Sequence, residues 1–107
     1  MKKLLCIFIF LVQSIFAQRI LNPNVILTNT IVSVRFTLSS GNQCSGYNIL
    51  RSADSITYVT IYNYAAVCGT AFVNEDYKYD DFSPTLNAVN FYKVELIATE
   101  LSPPMRI

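Results

Sequence analysis

The chain has 107 residues, which is enough for one domain of ordinary size. It contains no histidine, and its eight basic and seven acidic side chains leave a net charge of +1. The missing histidine excludes catalytic sites of the Ser-His-Asp and Cys-His kinds. The balanced charge provides no basic patch of the kind that neutralises phosphates, so we do not expect nucleic acid as a partner.

The first 17 residues have the pattern of a secretory signal peptide. Two lysines after Met1 are followed by an apolar run over 4–12, and the small residue Ala17 ends the stretch. This run is shorter than the roughly 20 residues that cross a bilayer, which favours a cleaved signal over a retained membrane anchor. We therefore predict a signal peptide over 1–17 and a secreted or surface-exposed domain over 18–107. Contact with a membrane is expected only where the signal segment stays attached.

Short strand-like runs follow along the rest of the chain, separated by turn residues. In the clearest run, 31–38, apolar residues at every second position from Val32 to Leu38 alternate with polar ones, as in a strand with one buried face. The predicted strands cover 25–27, 31–38, 47–51, 56–62, 71–79, 89–98 and 100–107. Pro103 and Pro104 lack a backbone N–H, so the last strand is expected to lie at an edge or to be broken there. Seven short strands without helical periodicity predict an all-β antiparallel sandwich.

The runs 47–51 and 56–62 are separated by four turn residues, which predicts a β-hairpin. Alternation along the second run places Tyr58 and Tyr62 on one face, and Tyr64 follows close by. An exposed strip of tyrosines would suit a glycan or protein partner. The competing interpretation is that these tyrosines cover the outer sheet or pack beneath the loop between the cysteines, because tyrosines are common cross-strand neighbours.

Removal of the signal peptide would take Cys6 with it and leave an even pair, Cys44 and Cys68. An exported protein folds in an oxidising setting, so we predict a disulfide between them. Metal binding and redox chemistry have less support, because the chain has no histidine and no Cys-x-x-Cys spacing. The remaining domain has six basic and seven acidic side chains, a net charge of −1. We expect no metal and no cofactor.

Four carboxylates are concentrated around the fifth predicted strand: Glu75, Asp76, Asp80 and Asp81. Paired carboxylates are the catalytic groups of glycosidases, but a sandwich of this size offers little of the cleft that such an enzyme needs. Closely spaced carboxylates also bind Ca²⁺, although their spacing here does not match an EF-hand loop and Lys78 interrupts them. A solvated strand end and loop is the interpretation that we prefer.

Three stretches resemble the fibronectin type III-like modules of bacterial secreted proteins, which often precede a type IX secretion sorting domain. Tyr47 to Asp54 matches aromatic-x-Ile/Leu-x-Arg-Ser-x-Asp, Tyr77 to Pro84 matches Tyr-x-Tyr-x-Asp-x-x-Pro, and Phe91 to Val94 is similar to Tyr-Tyr-Arg/Lys-Val/Leu. The resemblance implies a seven-stranded immunoglobulin-like sandwich. With no sorting domain after Ile107, it also implies either a longer chain with a C-terminal sorting domain or export by the signal peptide alone.

The resemblance further implies structural roles for Phe36, Tyr47, Ile49, Pro84, Tyr92 and Val94. Phe36 would take the place of a tryptophan that is missing here, and Pro84 would stiffen the loop before the penultimate strand. The hydroxyl of Tyr92 would bond to upstream backbone, as tyrosines do at this corner of sandwiches. Arg51 would pair with Asp54 or with the acidic run.

The sequence therefore predicts a non-catalytic exported module that acts as a spacer or as an interaction domain for a protein or glycan. The first alternative is a carbohydrate-binding module that uses the tyrosines Tyr58, Tyr62 and Tyr64. The second is a small hydrolase that uses the acidic cluster. Neither the fold nor the motifs identify a particular ligand.

Overall fold

The computed structural model describes residues 19–97 and 100–107; the predicted signal peptide over 1–17 lies outside them. The described residues form eight strand segments and no helix, so the all-β prediction is confirmed. The strands are β1 (Ile20–Thr28), β2 (Ile31–Leu38), β3 (Tyr47–Ser52), β4 (Val59–Tyr64), β5 (Glu75–Asp81), β6 (Phe91–Leu96), β7 (Glu100–Leu101) and β8 (Met105–Arg106). Within those ranges, nothing helical is long and apolar enough to cross a membrane.

The strands form two sheets in which every neighbouring pair is antiparallel. The first sheet has the order β1-β2-β5, and the second has the order β4-β3-β6-β7, with β8 also paired to β6. The last two strands meet opposite ends of β6, since β7 pairs at its C-terminal end and β8 at its N-terminal end. Pro103 and Pro104 lie between them, where the sequence predicted that the final strand would be interrupted.

The two sheets pack against each other through one apolar cluster, the arrangement expected of a β-sandwich. This cluster follows from the alternation of side chains along the strands, because every second residue of β2, β3 and β6 points to the interior. Its buried members are Ile20, Val32, Val34, Phe36, Leu38, Cys44, Tyr47, Ile49, Cys68, Tyr92, Val94 and Leu96. Phe36 joins the sheets directly, because its ring meets Tyr47 edge-on at 5.0 Å.

Cys44 and Cys68 form the predicted disulfide, with their Cα atoms 5.1 Å apart. Both side chains are buried, and the two residues also exchange backbone hydrogen bonds of 3.0 Å in each direction. The bridge ties the β2–β3 loop to the β4–β5 loop. Tyr77 supports the same loop, since its hydroxyl accepts a 2.7 Å hydrogen bond from the Gly69 N–H.

The β3–β4 hairpin has a longer connection than the sequence predicted. The strand was expected to begin at Ile56 but begins at Val59. The strand begins later because the backbone N–H groups of Ile56 and Thr57 each donate a 2.9 Å hydrogen bond to the carboxylate of Asp54. Short polar side chains that capture backbone donors in this way compete with the strand ladder.

The first and fifth strands also differ from their predicted bounds by several residues. The first begins at Ile20 rather than Val25, because a register shift between Leu21 and Asn24 carries the strand past Pro23. The fifth begins at Glu75 rather than at residue 71, because the preceding residues form a turn around the hydroxyl of Thr70. Both differences come from local irregularities rather than from a change of fold.

Candidate functional site

A β-bulge in β4 separates the tyrosines that the sequence placed on one face. Ile49 lies opposite Tyr62, whereas the next residue of β3, Leu50, lies opposite Thr60. Ile61 is therefore the extra residue, and an extra residue reverses which side chains point inward. Tyr62 and Tyr64 turn towards the first sheet, so the expected shared face for Tyr58 and Tyr62 is corrected.

The inward tyrosines of β4 fill the space between the β4 and β5 edges. Tyr62 stacks on Tyr79 with ring centroids 4.5 Å apart, and Tyr64 stacks on Tyr47 at 4.9 Å. Tyr77 meets Tyr47 edge-on at 5.4 Å. Burial, followed by the neighbouring phenols, raises the pKa of Tyr47 to about 12. These contacts form a tyrosine wall along one side of the core, in which each aromatic pair adds about 0.5–1.5 kcal/mol beyond simple burial. Its members are Tyr47, Tyr62, Tyr64, Tyr77 and Tyr79.

Tyr58 lies apart from this wall, on the outer face of the second sheet. The ammonium of Lys93 sits 4.5 Å from the centroid of its ring. Lys93 lies between Tyr92 and Val94, which both point inward, so it faces outward. Burial raises the pKa of Tyr58, and its buried hydroxyl has no hydrogen-bond partner among the residues that the structure describes. Of the three candidate ligand-binding tyrosines, Tyr58 alone contacts the outer face.

A polar cluster of Arg51, Asp81 and Tyr92 joins the two sheets at the β5–β6 connection. Asp81 Oδ2 accepts a 2.7 Å hydrogen bond from the hydroxyl of Tyr92 and lies 2.7 Å from Arg51 Nη1. Arg51 Nη1 also donates to the carbonyl of Ser83 at 2.9 Å. Arg51 thus pairs with the acidic run rather than with Asp54. Tyr92 bonds to a carboxylate, which corrects the expectation of a backbone partner, and Pro84 is buried just beyond.

Opposing effects act on the charged members of this cluster. Burial would raise the pKa of Asp81, but bonds from Tyr92, Arg51 and the Ser83 N–H outweigh it and lower that pKa. Burial, and then the bond to Asp81, raises the pKa of Tyr92. The bond to Asp81 raises the pKa of Arg51 against the effect of burial. The cluster is therefore a carboxylate that contacts a guanidinium and a neutral phenol through the same oxygen, which suits cohesion of the sheets better than proton transfer.

The acidic residues of β5 divide between its two faces. Asp80 accepts a 2.6 Å bond from Ser33 and lies 3.5 Å from the ammonium of Lys78, whereas the adjacent Asp81 points to the interior. Asp76 accepts a 2.6 Å bond from Thr37. In residues 19–97 and 100–107, no group of three or more acidic or cysteine side chains is arranged to hold a metal ion.

Two shallow depressions lie elsewhere on the surface. One of about 340 Å³ on the outer face of the first sheet is lined by Asn22, Asn24, Arg35, Phe36, Thr37, Asp76, Tyr77 and Lys78. The other, of about 350 Å³, lies where the β1–β2 turn meets the β5–β6 loop, and its apolar lining includes Leu27, Leu86 and Ile107. Neither depression contains Tyr58, Tyr62 or Tyr64.

No protein family profile matches the chain, and neither a curated protein nor a solved structure matches it. Sequence reasoning missed Asp81 as the residue that joins the sheets. A usable signal was present, since Tyr77 and Tyr79 share the inward face and Asp81 is next in that phase. An inward carboxylate requires a partner, and Arg51 is its partner here.

Proposed function

We propose that the chain is an exported, non-catalytic fibronectin type III-like module that serves as a spacer or as an interaction domain. The strand order carries this proposal. Constant-type immunoglobulin domains place strands A, B, E and D in one sheet and C, F and G in the other. Here the first, second and fifth strands form one sheet, and β3, β6 and β7 form the centre and one edge of the other. The fourth strand departs from that order, because it joins the second sheet beside β3 instead of the first sheet. β7 and β8 both pair with β6, which corresponds to the position of strand G.

The corner at the start of β6 is a second support. Sandwich domains of this class use a tyrosine near the start of strand F to tie the preceding connection to the sheet. Tyr92 occupies that position, and its hydroxyl reaches back across the β5–β6 connection to Asp81. The carboxylate takes over the acceptor role that backbone usually has.

Two observations support export. The first 17 residues have the pattern of a signal peptide, and the buried Cys44–Cys68 bridge suits an oxidising compartment. The test is expression of the whole chain in a secreting bacterial host, followed by intact mass and N-terminal sequencing of the exported protein. We expect Gln18 at the N-terminus and a mass two hydrogens below that of the dithiol. An exported chain that keeps residues 1–17, or that has two free thiols, would contradict the proposal.

The interaction role is tested with the exported protein on a glycan array. A spacer or protein-binding module gives no glycan signal. Under the carbohydrate-binding alternative, the signal depends on the outer-face ring of Tyr58, and Tyr58→Ala abolishes it without unfolding the domain. Tyr62→Ala is a poor probe of binding alone, because Tyr62 stacks on Tyr79 in the tyrosine wall. Hydrolysis would need two carboxylates facing one cleft, whereas Asp80 and Asp81 point to opposite faces of β5.

A further inference from the structure

The four outer edges of the two sheets differ in how they are protected. Edge strands expose unpaired backbone groups, and proteins commonly blunt them with charges, prolines, bulges or short strands. Five of the seven residues of β5 are charged, and β7 and β8 have two residues each. The edge strand β1 contains Pro23 and a register shift beside it. The β5 edge and the β7–β8 edge are therefore obstructed along their length, whereas β1 is interrupted only near Pro23 and pairs regularly with β2 from Asn24 to Thr28.

The fourth edge, β4, has neither a charge nor a proline. Its residues are Val-Thr-Ile-Tyr-Asn-Tyr, and no charged residue or proline occurs anywhere in 55–74. Val59, Thr60 and Asn63 are exposed along it. The bulge at Ile61 is its one protective feature, and the part from Tyr62 to Tyr64 keeps regular register with β3.

A side-chain ladder also leads to this edge. On the outer face of the second sheet, Asn48 donates a 2.9 Å hydrogen bond to Glu95 of β6 and accepts a 2.7 Å bond from Asn63 of β4. The ladder thus crosses three strands and ends at an exposed amide. Within the described part of the chain, the side-chain oxygen of Asn63 accepts no hydrogen bond. An amide or hydroxyl on an added strand opposite Asn63 would extend this row of side-chain hydrogen bonds.

We propose that β4 pairs antiparallel with β4 of a second copy and so extends the second sheet across a twofold axis. The absence of charge along β4 favours a second copy of this strand as the partner. A twofold axis places the same strand against itself, which would oppose like charges in β5 but opposes none in β4. A charged partner strand would find no complementary charge along β4. The proposal does not depend on the fibronectin type III-like assignment or on any ligand.

The expected dimer is weak. Pairing through one strand of six residues buries less surface than a standard interface, so we expect a dissociation constant in the range of roughly 10–100 μM. Sedimentation velocity of the exported protein from about 1 μM to about 500 μM should therefore show a monomer giving way to a dimer. Hydrogen exchange at the higher concentration should protect the backbone of β4 and leave β5 unchanged.

The test variant is Thr60→Lys, which places a lysine on the edge of each copy. We expect dimerisation to weaken at least about tenfold, with the melting temperature nearly unchanged. Thr30→Lys adds the same charge at an exposed turn away from β4 and should dimerise like the wild type. If Thr60→Lys does not fold, Asn63→Asp is the second variant. Its like charges should weaken the dimer at neutral pH, which the same sedimentation series measures.

Several outcomes would overturn the proposal. A wild-type protein that stays monomeric at the highest concentration contradicts it. So does a dimer that Thr60→Lys leaves intact, or one that Thr30→Lys weakens equally, because the contact would then lie elsewhere or depend on net charge. Assembly beyond a dimer would contradict the closed twofold pairing.

Discussion

The hydroxyl of Tyr92 donates a 2.7 Å hydrogen bond to the Asp81 oxygen that also contacts Arg51. Tyr92 and Arg51 belong to β6 and β3 of the second sheet, whereas Asp81 ends β5 of the first. One carboxylate therefore fastens the two sheets at the end of the sandwich opposite the disulfide. The side chain of Asp81 is 4% exposed and that of Arg51 is 24% exposed, so solvent screens the pair only in part.

Replacing Asp81 should destabilise the domain far more than replacing its neighbour. We expect Asp81→Asn to lower the free energy of unfolding by about 3 kcal/mol, because Arg51 loses its charged partner in a mostly buried position. Tyr92→Phe should cost about 1–2 kcal/mol, since a buried acceptor loses one donor. Urea denaturation measures both. Asp80→Asn is the matched control and should cost less than about 1 kcal/mol, because its ion pair is more exposed. Equal losses for the two aspartates would contradict a specific role for Asp81.

The stability of the domain should fall in acid through Asp81. Its pKa is lowered in the folded state from an ordinary value of 3.8. The unfolded chain therefore binds a proton at a pH where the folded chain does not, and the stabilisation present above about pH 4 is lost as pH falls further. Urea midpoints measured from neutral pH downwards should show this decline. In Tyr92→Phe, the carboxylate has one donor fewer, so the decline should be shallower. An unchanged slope would show that another group controls the acid transition.

How far the sequence predicts this fold depends on the range of the interactions. The inward face of β2 follows from period-two alternation within 31–38, and the structure has it. The orientation of Tyr62 does not follow from its own strand. It depends on the bulge at Ile61, which is defined only by pairing with β3.

The two clusters that join the sheets show the same division. The disulfide between Cys44 and Cys68 was predictable, because two cysteines follow residue 17 and the pattern of residues 1–17 predicts export. The hydrogen-bond acceptor of Tyr92 could not be predicted, because the choice between a backbone carbonyl and the Asp81 carboxylate depends on how three strands meet. Whether the tyrosines are exposed could not be predicted either, because it depends on how β4 packs against β5.

Alkaline conditions should weaken the domain through the tyrosine wall. Burial raises the pKa of Tyr47 from 10.0 to about 12 in the folded state. The unfolded chain loses the phenol proton first, so this stabilisation is complete below about pH 10 and is lost as pH rises towards 12. Tyr47→Phe has no proton to lose and should flatten that part of the stability curve. Absorbance near 295 nm followed against pH measures the ionisation directly. Titration of all tyrosines at their ordinary pKa would contradict the buried wall.

The loop beside the disulfide should tolerate no side chain at Gly69. Gly69 and Gly41 have nearly the same backbone angle, with φ of 85° and 82°. A Cβ atom at Gly41 would meet nothing within 4 Å, whereas one at Gly69 would overlap the carbonyl of Asn42 and the side chain of Leu38. Gly41→Ala therefore measures the cost of the left-handed backbone alone, about 1–2 kcal/mol.

Gly69→Ala should cost about 1–3 kcal/mol more than Gly41→Ala, because the overlap involves backbone that cannot move freely next to the Cys44–Cys68 bridge. The comparison uses urea denaturation of both variants with the bridge intact, which a thiol assay verifies. The backbone hydrogen bond from Gly41 to Thr70, at 3.0 Å, should survive in both. Equal losses in the two variants would show that the loop around Gly69 has room to relax, and that the close packing of the bridge against β2 does not constrain it.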